Sequence, residues 1–383
     1  MNQEAGAPIE SRKALSSNQN SPLLEVKPSE ASIGDHGLYL SELKTIGLTL
    51  RSDRDQPKVA QPPSWFDDAL FRKAKSVYER HFMGINFAHL SGLLLLVRID
   101  SIYRTLSATG ESDTVSKLFK RYYNTLKHVK TWYEGDIFEE KSDAYRSLLI
   151  VRGMHNKVSS QFNDCNNASR DTEIAQDLTA KDSARSAGDQ VHVSEYDIMI
   201  TQFAFIGFIV TKSKNMGLID DFSQEDLEGL LHFWRVIGYY LGTSEKFNLC
   251  SYKFADIVGL CESITEMELK ESLVKNPLHE RPGIMSVNIV RSLKFIPMLT
   301  VYGMMQYLYE ILGQDSSELQ DRRTHFSRLS YTLIKLVMSR LLAYKPFRSF
   351  NNGLTRLSIY LVGKIQDWFS RRLESKYGQE LKI

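Results

Sequence analysis

One stretch of this 383-residue chain sets an arginine and a histidine on a single helical face. It runs DAYRSLLIVRGMHNKVS, from Asp143 to Ser159. Ala144, Leu148, Val151 and Met154 or His155 recur at three- or four-residue spacing, and neither Pro nor Gly interrupts before Gly153, which predicts a helix. Arg152 and His155 share a face of it. An imidazole there has the chemistry to ligate a metal or carry a proton, although a lone histidine on such a face is more often a satisfied structural residue. Two other pairs are spaced alike. Arg121 and Thr125 lie one helical turn apart, a pattern that alone marks a solvated arginine beside a helix threonine. His232 and Arg235 sit in HFWRVIGYYLG, where Trp234, Ile237 and Tyr240 or Leu241 read as core. Gly238 and Gly242 there favour close helix packing over catalysis.

Most familiar chemistries are excluded by motif. The chain has no HExxH, no Gly-rich phosphate loop, no GxSxG and no CxxC. A di-iron carboxylate bundle needs paired Glu-x-x-His, but Arg152 and Gly229 stand three residues before His155 and His232. A cofactor held by one imidazole fits better. Haem needs one axial protein ligand, apolar walls and a polar group opposite, and a bundle rich in Phe, Tyr, Leu and Met supplies the walls.

The elements that must position these residues read as helices throughout, since strand-like alternation is scarce: the fold class is all-α. With 42% hydrophobic and 25% charged residues the chain has ample material for a core. The net charge of +2 and the lack of a long basic stripe argue against a nucleic-acid partner. Cys165, Cys250 and Cys261 are too few and too irregular for a disulfide framework, which points to idle thiols in a reducing compartment. No signal-peptide or transit pattern opens the chain, so the expected location is intracellular, at the ER or another membrane if the chain is anchored.

Residues 1–62 read as a disordered leader with one short apolar element at 37–50. Residues 63–275 form the main helical domain, in which 83–106 is a buried helix broken near Gly92 and 114–132 is amphipathic. Ser142 is the N-cap of the Arg152–His155 helix. Residues 163–190, nearly free of large apolar side chains, read as a mobile insertion. Ser194 and Ser223 cap the next two helices. Residues 276–383 form a C-terminal helical extension, packed on the same domain or on a membrane surface. Within it 295–312 carries Glu310 and reads as a buried or membrane-dipping helix. The sequence YKPFRSFNNG breaks a basic helix, and 354–373 is a last amphipathic one with basic flanks, of a kind that can lie on a bilayer.

SDAYRSLLIVRGMHNKV (142–158), TQFAFIGF (201–208) and FWRVIGYYLGTSEKFNLC (233–250) together resemble the catalytic domain shared by rubber oxygenase (latex clearing protein) and the ER-bound oxygenase mpaB. The resemblance covers roughly residues 65–260. It implies a multi-helix, globin-like bundle holding haem b, with His155 as proximal ligand of the iron and Arg152 beside it in the cofactor site. It also implies that RYYNT (121–125) lines the oxygen-binding side through Arg121, Asn124 and Thr125, with Asn124 where the family has lysine. The upstream acid proposed as a base in rubber oxygenase has no clear match: Thr105 sits near its place. Ser159 replaces an arginine frequent in the family. The function implied is a haem-dependent oxygenase that adds dioxygen across a double bond of an apolar isoprenoid or lipid. The alternative is a non-catalytic helical protein of the same fold that binds haem or lipid. Peripheral contact with a membrane is compatible with both.

Overall fold

The computed structural model describes residues 32–53, Pro57, Val59, 61–173 and 190–378, with the backbone alone for 165–173. Among these residues the structure is helical with no strand; Arg51 and Ser194 form an isolated antiparallel bridge. Helix α1 (His36–Gly47) starts at Asp35, whose carboxylate accepts the Gly37 and Leu38 N–H groups. Asp67 caps α2 (Asp68–Arg80) in the same way, and α3 (Phe82–Leu96) follows after His81. A tight turn leads to α4 (Asp100–Ala108); Thr114 caps α5 (Val115–Glu134). Helix α6 (Asp143–Glu173) begins where the Ser142 hydroxyl accepts the Tyr145 N–H, the expected cap. Ser194 with Asp197 and Ser223 with Asp226 form reciprocal capping boxes at α7 (Glu195–Lys212) and α8 (Gln224–Leu241). Gly242, at φ 99°, ends α8 in the left-handed conformation that a side chain disfavours.

The remainder is α9 (Phe254–Ile264), a π-helical stretch Thr265–Lys270, α10 (Glu271–Lys275), α11 (Arg281–Ser292), α12 (Val301–Leu312), α13 (His325–Ser339), α14 (Lys345–Lys364) and α15 (Gln366–Tyr377). The expected break in YKPFRSFNNG does not occur. The chain breaks before it, at 340–344, and Pro346 then opens α14, where its missing N–H costs no helical bond.

Helix α3 packs most extensively on α7, and α2 on α8. Gly92 does not break α3 as its sequence position suggests. It lets α3 approach the backbone of α7 so closely that a Cβ would stand 2.0 Å from the Ala204 oxygen. The real break is at Val97–Ile99. Gly238 plays the expected close-packing part on α8: a Cβ there would meet Gln202 and Asn248.

Helix α5 lies between α6 on one side and α11 and α15 on the other. One hydrophobic core therefore runs from Leu40 and Leu43 of α1 to Leu373 and Tyr377 of α15. The short element within the N-terminal region is α1, docked on α7 and α9; the leader reading of residues 1–31 lies outside the described residues. Arg98, with no exposed surface, ties the α3–α4 corner to the C-terminal third: it donates to the Asn276 and Leu273 carbonyls at 2.8 and 2.9 Å and to the Tyr309 hydroxyl. No single helix among the described residues is long and apolar enough to cross a membrane; α3 and α4 pass by length and composition only as a pair bent by 90°. The 295–312 stretch contributes α12, whose Tyr302, Met304, Met305, Tyr307 and Leu308 are buried in protein, so a bilayer reading rests on the tail alone.

Candidate functional site

Ala144, Leu148 and Val151 turn the first half of α6 toward the core as their spacing requires. The same helical phase leaves Met154 exposed and brings His155 inward. The His155 ring is half-buried with its Nδ1 wholly enclosed, and Nδ1 has no hydrogen-bond partner. Burial, reinforced by the Arg121 guanidinium, pushes its pKa down to about 4. The ring is thus neutral near pH 7, the protonation state that a metal ligand needs. A carbonyl or carboxylate orienting the second ring nitrogen is the usual companion of a ligating histidine. None is found at Nδ1 among the described residues.

Arg121 reaches this histidine from α5. Its Nη1 donates to Thr109 Oγ1 at 3.2 Å and to Ser112 Oγ at 2.9 Å, so hydroxyls of the α4–α5 turn hold it. Burial lowers its pKa from the usual guanidinium value, while Tyr122 and Glu111 oppose that shift. It remains a cation at any ordinary pH. Tyr122 beside it is half-buried, and burial pushes its phenol well above the ordinary range.

The other predicted site residues divide. Thr125 is half-buried, but its hydroxyl donates back to the Arg121 carbonyl at 3.1 Å. Asn124 is exposed, so the structure brings Arg121 and Thr125 toward the interior and leaves Asn124 at the surface. Arg152 is half-buried and donates to the Pro57 carbonyl at 2.6 Å, tying Pro57 to α6. His232 and Arg235 serve packing, as their motif suggests. His232 Nε2 accepts the Asp67 N–H at 3.0 Å, and Arg235 lies 4.0 Å over the Trp65 ring and pairs with Glu245.

Residues that the sequence reading passed over complete the group. Asn163 was expected at the start of the mobile insertion. Instead α6 continues through it to Glu173, because nothing from Ser159 to Glu173 is a Pro or Gly and a polar helix needs no apolar stripe to persist. The rest of the expected insertion, 174–189, lies outside the described residues. Asn163 is buried; it donates to Ser159 Oγ at 3.1 Å and the His192 carbonyl at 3.0 Å, and accepts the His192 N–H at 2.7 Å. His192 Nδ1 in turn meets Thr105 Oγ1 at 3.2 Å, and its ring packs 5.2 Å from that of Phe162. Arg104 of α4 holds the Gln190 and Val191 carbonyls. The left-handed backbone of Val193 (φ 55°), costly for a β-branched residue at about 1–3 kcal/mol, is fixed by Ser52, which donates from both N–H and hydroxyl to its carbonyl.

These contacts, with the four-residue spacing of His155, Ser159 and Asn163 on α6, form a circuit. Thr105 and Thr109 share a face of α4; Thr109 holds Arg121; Arg121 opposes protonation of His155. Ser159 and Asn163 continue the His155 face, and Asn163 returns through His192 to Thr105. Helices α4, α5 and α6 and the 190–194 segment thus surround one set of polar groups in an otherwise apolar core. Among the described residues no three His, Cys, Asp or Glu side chains converge as a metal-binding group. The donor set suits a group held through one imidazole.

Residues 80–253, which contain this whole circuit, match the model of the ER-bound oxygenase mpaB/B'/rubber oxygenase catalytic domain. Over this segment the chain is similar to that family. The match suggests an oxygenase-type catalytic domain, and it ends before α9 begins, so the last seven helices of the chain lie beyond the matched segment. No curated protein and no solved structure gives a match.

Proposed function

We propose that this chain is a haem-dependent oxygenase that acts on an apolar unsaturated substrate, an isoprenoid or other lipid. The observation that carries the reading is His155: an imidazole with an enclosed, unpartnered ring nitrogen, near the Arg121 guanidinium, inside a segment that matches an oxygenase family. His155 would hold haem b through its ring. The haem would supply the binding and activation of dioxygen.

The chain's own residues define the surroundings. Arg121, braced by two hydroxyls, would offer a fixed positive charge beside the cofactor, and such preorganised donors are more effective in an enclosed site than in water. His192 is held by Thr105 at Nδ1, near the place where the family's acid is missing; burial lowers its pKa, which favours the neutral ring that a proton acceptor needs. Arg152, on the same helix as His155, is fixed by its hydrogen bond to the Pro57 carbonyl. Exposed Asn124 favours a second reading, in which the fold binds haem or lipid without turnover.

The test is the absorbance spectrum of the purified protein after haem supplementation. A Soret band is expected, lost or strongly shifted in His155→Ala. No band, or an unchanged band in the variant, rejects haem ligation by His155. Oxygen uptake over a panel of polyisoprenoid and unsaturated acyl substrates separates the two readings: haem bound without uptake favours the second.

A further inference from the structure

Helix α14 is built inside out. The face it turns to the protein carries Arg348 and Asn352, both buried, with Ile359 and Val362. Arg348 donates to Asp221 Oδ2 at 2.6 Å and to the Leu342 carbonyl. Asn352 donates to the Arg80 carbonyl at 2.9 Å and accepts the Met83 N–H at 3.0 Å. The opposite face, at i, i+4, i+7 and i+11, is Phe350, Leu354, Leu357 and Leu361, which are 69%, 49%, 52% and 52% exposed. Tyr344 precedes this stripe; Ile365 and Trp368 extend it into α15, also exposed. An amphipathic helix normally buries its apolar face, so an outward row of this length marks a surface with a partner.

Charge says which partner. Residues 324–378 hold ten Lys and Arg against Asp367 and Glu374 alone, while the whole chain carries only +2. Lys345, Lys364, Arg371, Arg372 and Lys376 are exposed around the apolar row. Lys364 lies 5.3 Å over the Tyr360 ring and Arg372 5.4 Å over that of Trp368. Exposed Trp, Tyr and Phe bordered by long basic side chains suit a headgroup boundary, where stems lie along apolar surface and the charged ends reach anionic phosphate. A protein interface disfavours lysine, and a second copy of the same face would bring two strongly basic surfaces together. We infer that the outward face of α14 and α15 docks the protein on a bilayer containing anionic lipid. The surface lies outside the family segment and stands independently of the haem reading.

The test uses the full chain in a flotation assay with extruded vesicles. One set is phosphatidylcholine alone; the other contains about 30% phosphatidylserine, at ionic strengths of about 0.1 M and about 0.5 M. Binding to anionic vesicles is expected, weaker at the higher salt. Each basic residue near the surface contributes about five-fold, so Lys364→Glu with Arg372→Glu should weaken binding at least roughly 25-fold. Leu354→Glu with Leu357→Glu should abolish binding while leaving the circular dichroism and thermal unfolding unchanged, since both side chains point to solvent. On the unaltered protein, vesicles should blue-shift an emission component that is absent in Trp368→Phe. No binding to either vesicle set, or binding that survives Leu354→Glu with Leu357→Glu, overturns the proposal. So does a concentration-dependent dimer, seen by light scattering, that the same leucine substitutions dissolve.

Discussion

Acidification from about pH 7.5 to about pH 5 should cost this protein a large part of its stability. Burial holds His89 at about 3, His81 at about 4 and His155 at about 4. His89 is packed among the rings of Tyr133, Phe205 and Trp234 with its Nε2 unpartnered. His81 is flanked by Arg348 and Arg80, which oppose its protonation more than Asp221 favours it. A histidine whose folded pKa lies below its unfolded value contributes stability above the unfolded pKa and loses it as pH falls toward the folded one. At about pH 5 the unfolded chain takes up nearly a full proton at each site, worth about 2 kcal/mol, and the folded chain almost none. That loss hardly depends on how far below the window the folded value lies. Glu195 acts oppositely: burial raises it to about 7, so over this range the folded state binds a proton more tightly than the unfolded one and gains about 2 kcal/mol. The net expected loss from these four groups is about 4 kcal/mol, against a typical total of about 5–15 kcal/mol. Ligation of a metal by His155 would keep its share, since a ligating ring must be deprotonated. Urea unfolding at the two pH values measures the loss directly. His89→Gln should flatten the pH dependence by one proton whatever it costs at neutral pH, and Glu195→Gln should steepen it. Equal stability at both pH values, or a pH dependence untouched by both substitutions, refutes this account of the buried histidines.

Three other outcomes follow from the packing. Gly92→Ala drives a Cβ into the Ala204 backbone, so it should destabilise by about 2 kcal/mol or more in spite of the gain of about 1 kcal/mol in helix propensity; a neutral urea midpoint would mean that α3 and α7 do not approach so closely. Arg98→Met strips the Leu273 and Asn276 carbonyls and the Tyr309 hydroxyl of a buried charged donor, with an expected cost of about 3–5 kcal/mol by the same measurement. Asn163→Leu keeps the bulk but frees both backbone groups of His192, which should cost about 1–3 kcal/mol and raise amide hydrogen exchange across 190–194 relative to α7.

The helices were legible where periodicity and caps agreed. Ala144, Leu148 and Val151 fixed the inward phase of α6, and Ser142, Ser194 and Ser223 fixed the starts of three helices. What escaped has physical reasons. Gly92 reads as a helix breaker, because a sequence does not show the neighbouring backbone that requires a glycine. Pro346 reads as a break until its place in the first helical turn is known. Asn163 reads as loop because its value is a hydrogen bond across to His192, far along the chain, rather than burial of apolar surface. His155 and Arg121 could be named from motif and resemblance, and in the structure the Arg121 charge helps to hold the His155 pKa down. His192 could not be named. No local pattern distinguishes it, and only the pairing of 190–194 with α4 and α6 shows what it faces.

The seating of α5 has a further consequence. Arg121 is carried by a helix whose other flanks are covered by α11 and α15, both beyond the family segment. The segment that matches the family and the folding unit therefore have different boundaries here. Residues 80–253 expressed alone would bare the sides of α5, and Arg98 would face none of its carbonyl acceptors. Changes in the last third of the chain can reach Arg121 through α5 without touching a residue of the site. That makes the C-terminal third a place where an engineer could adjust the site from outside it.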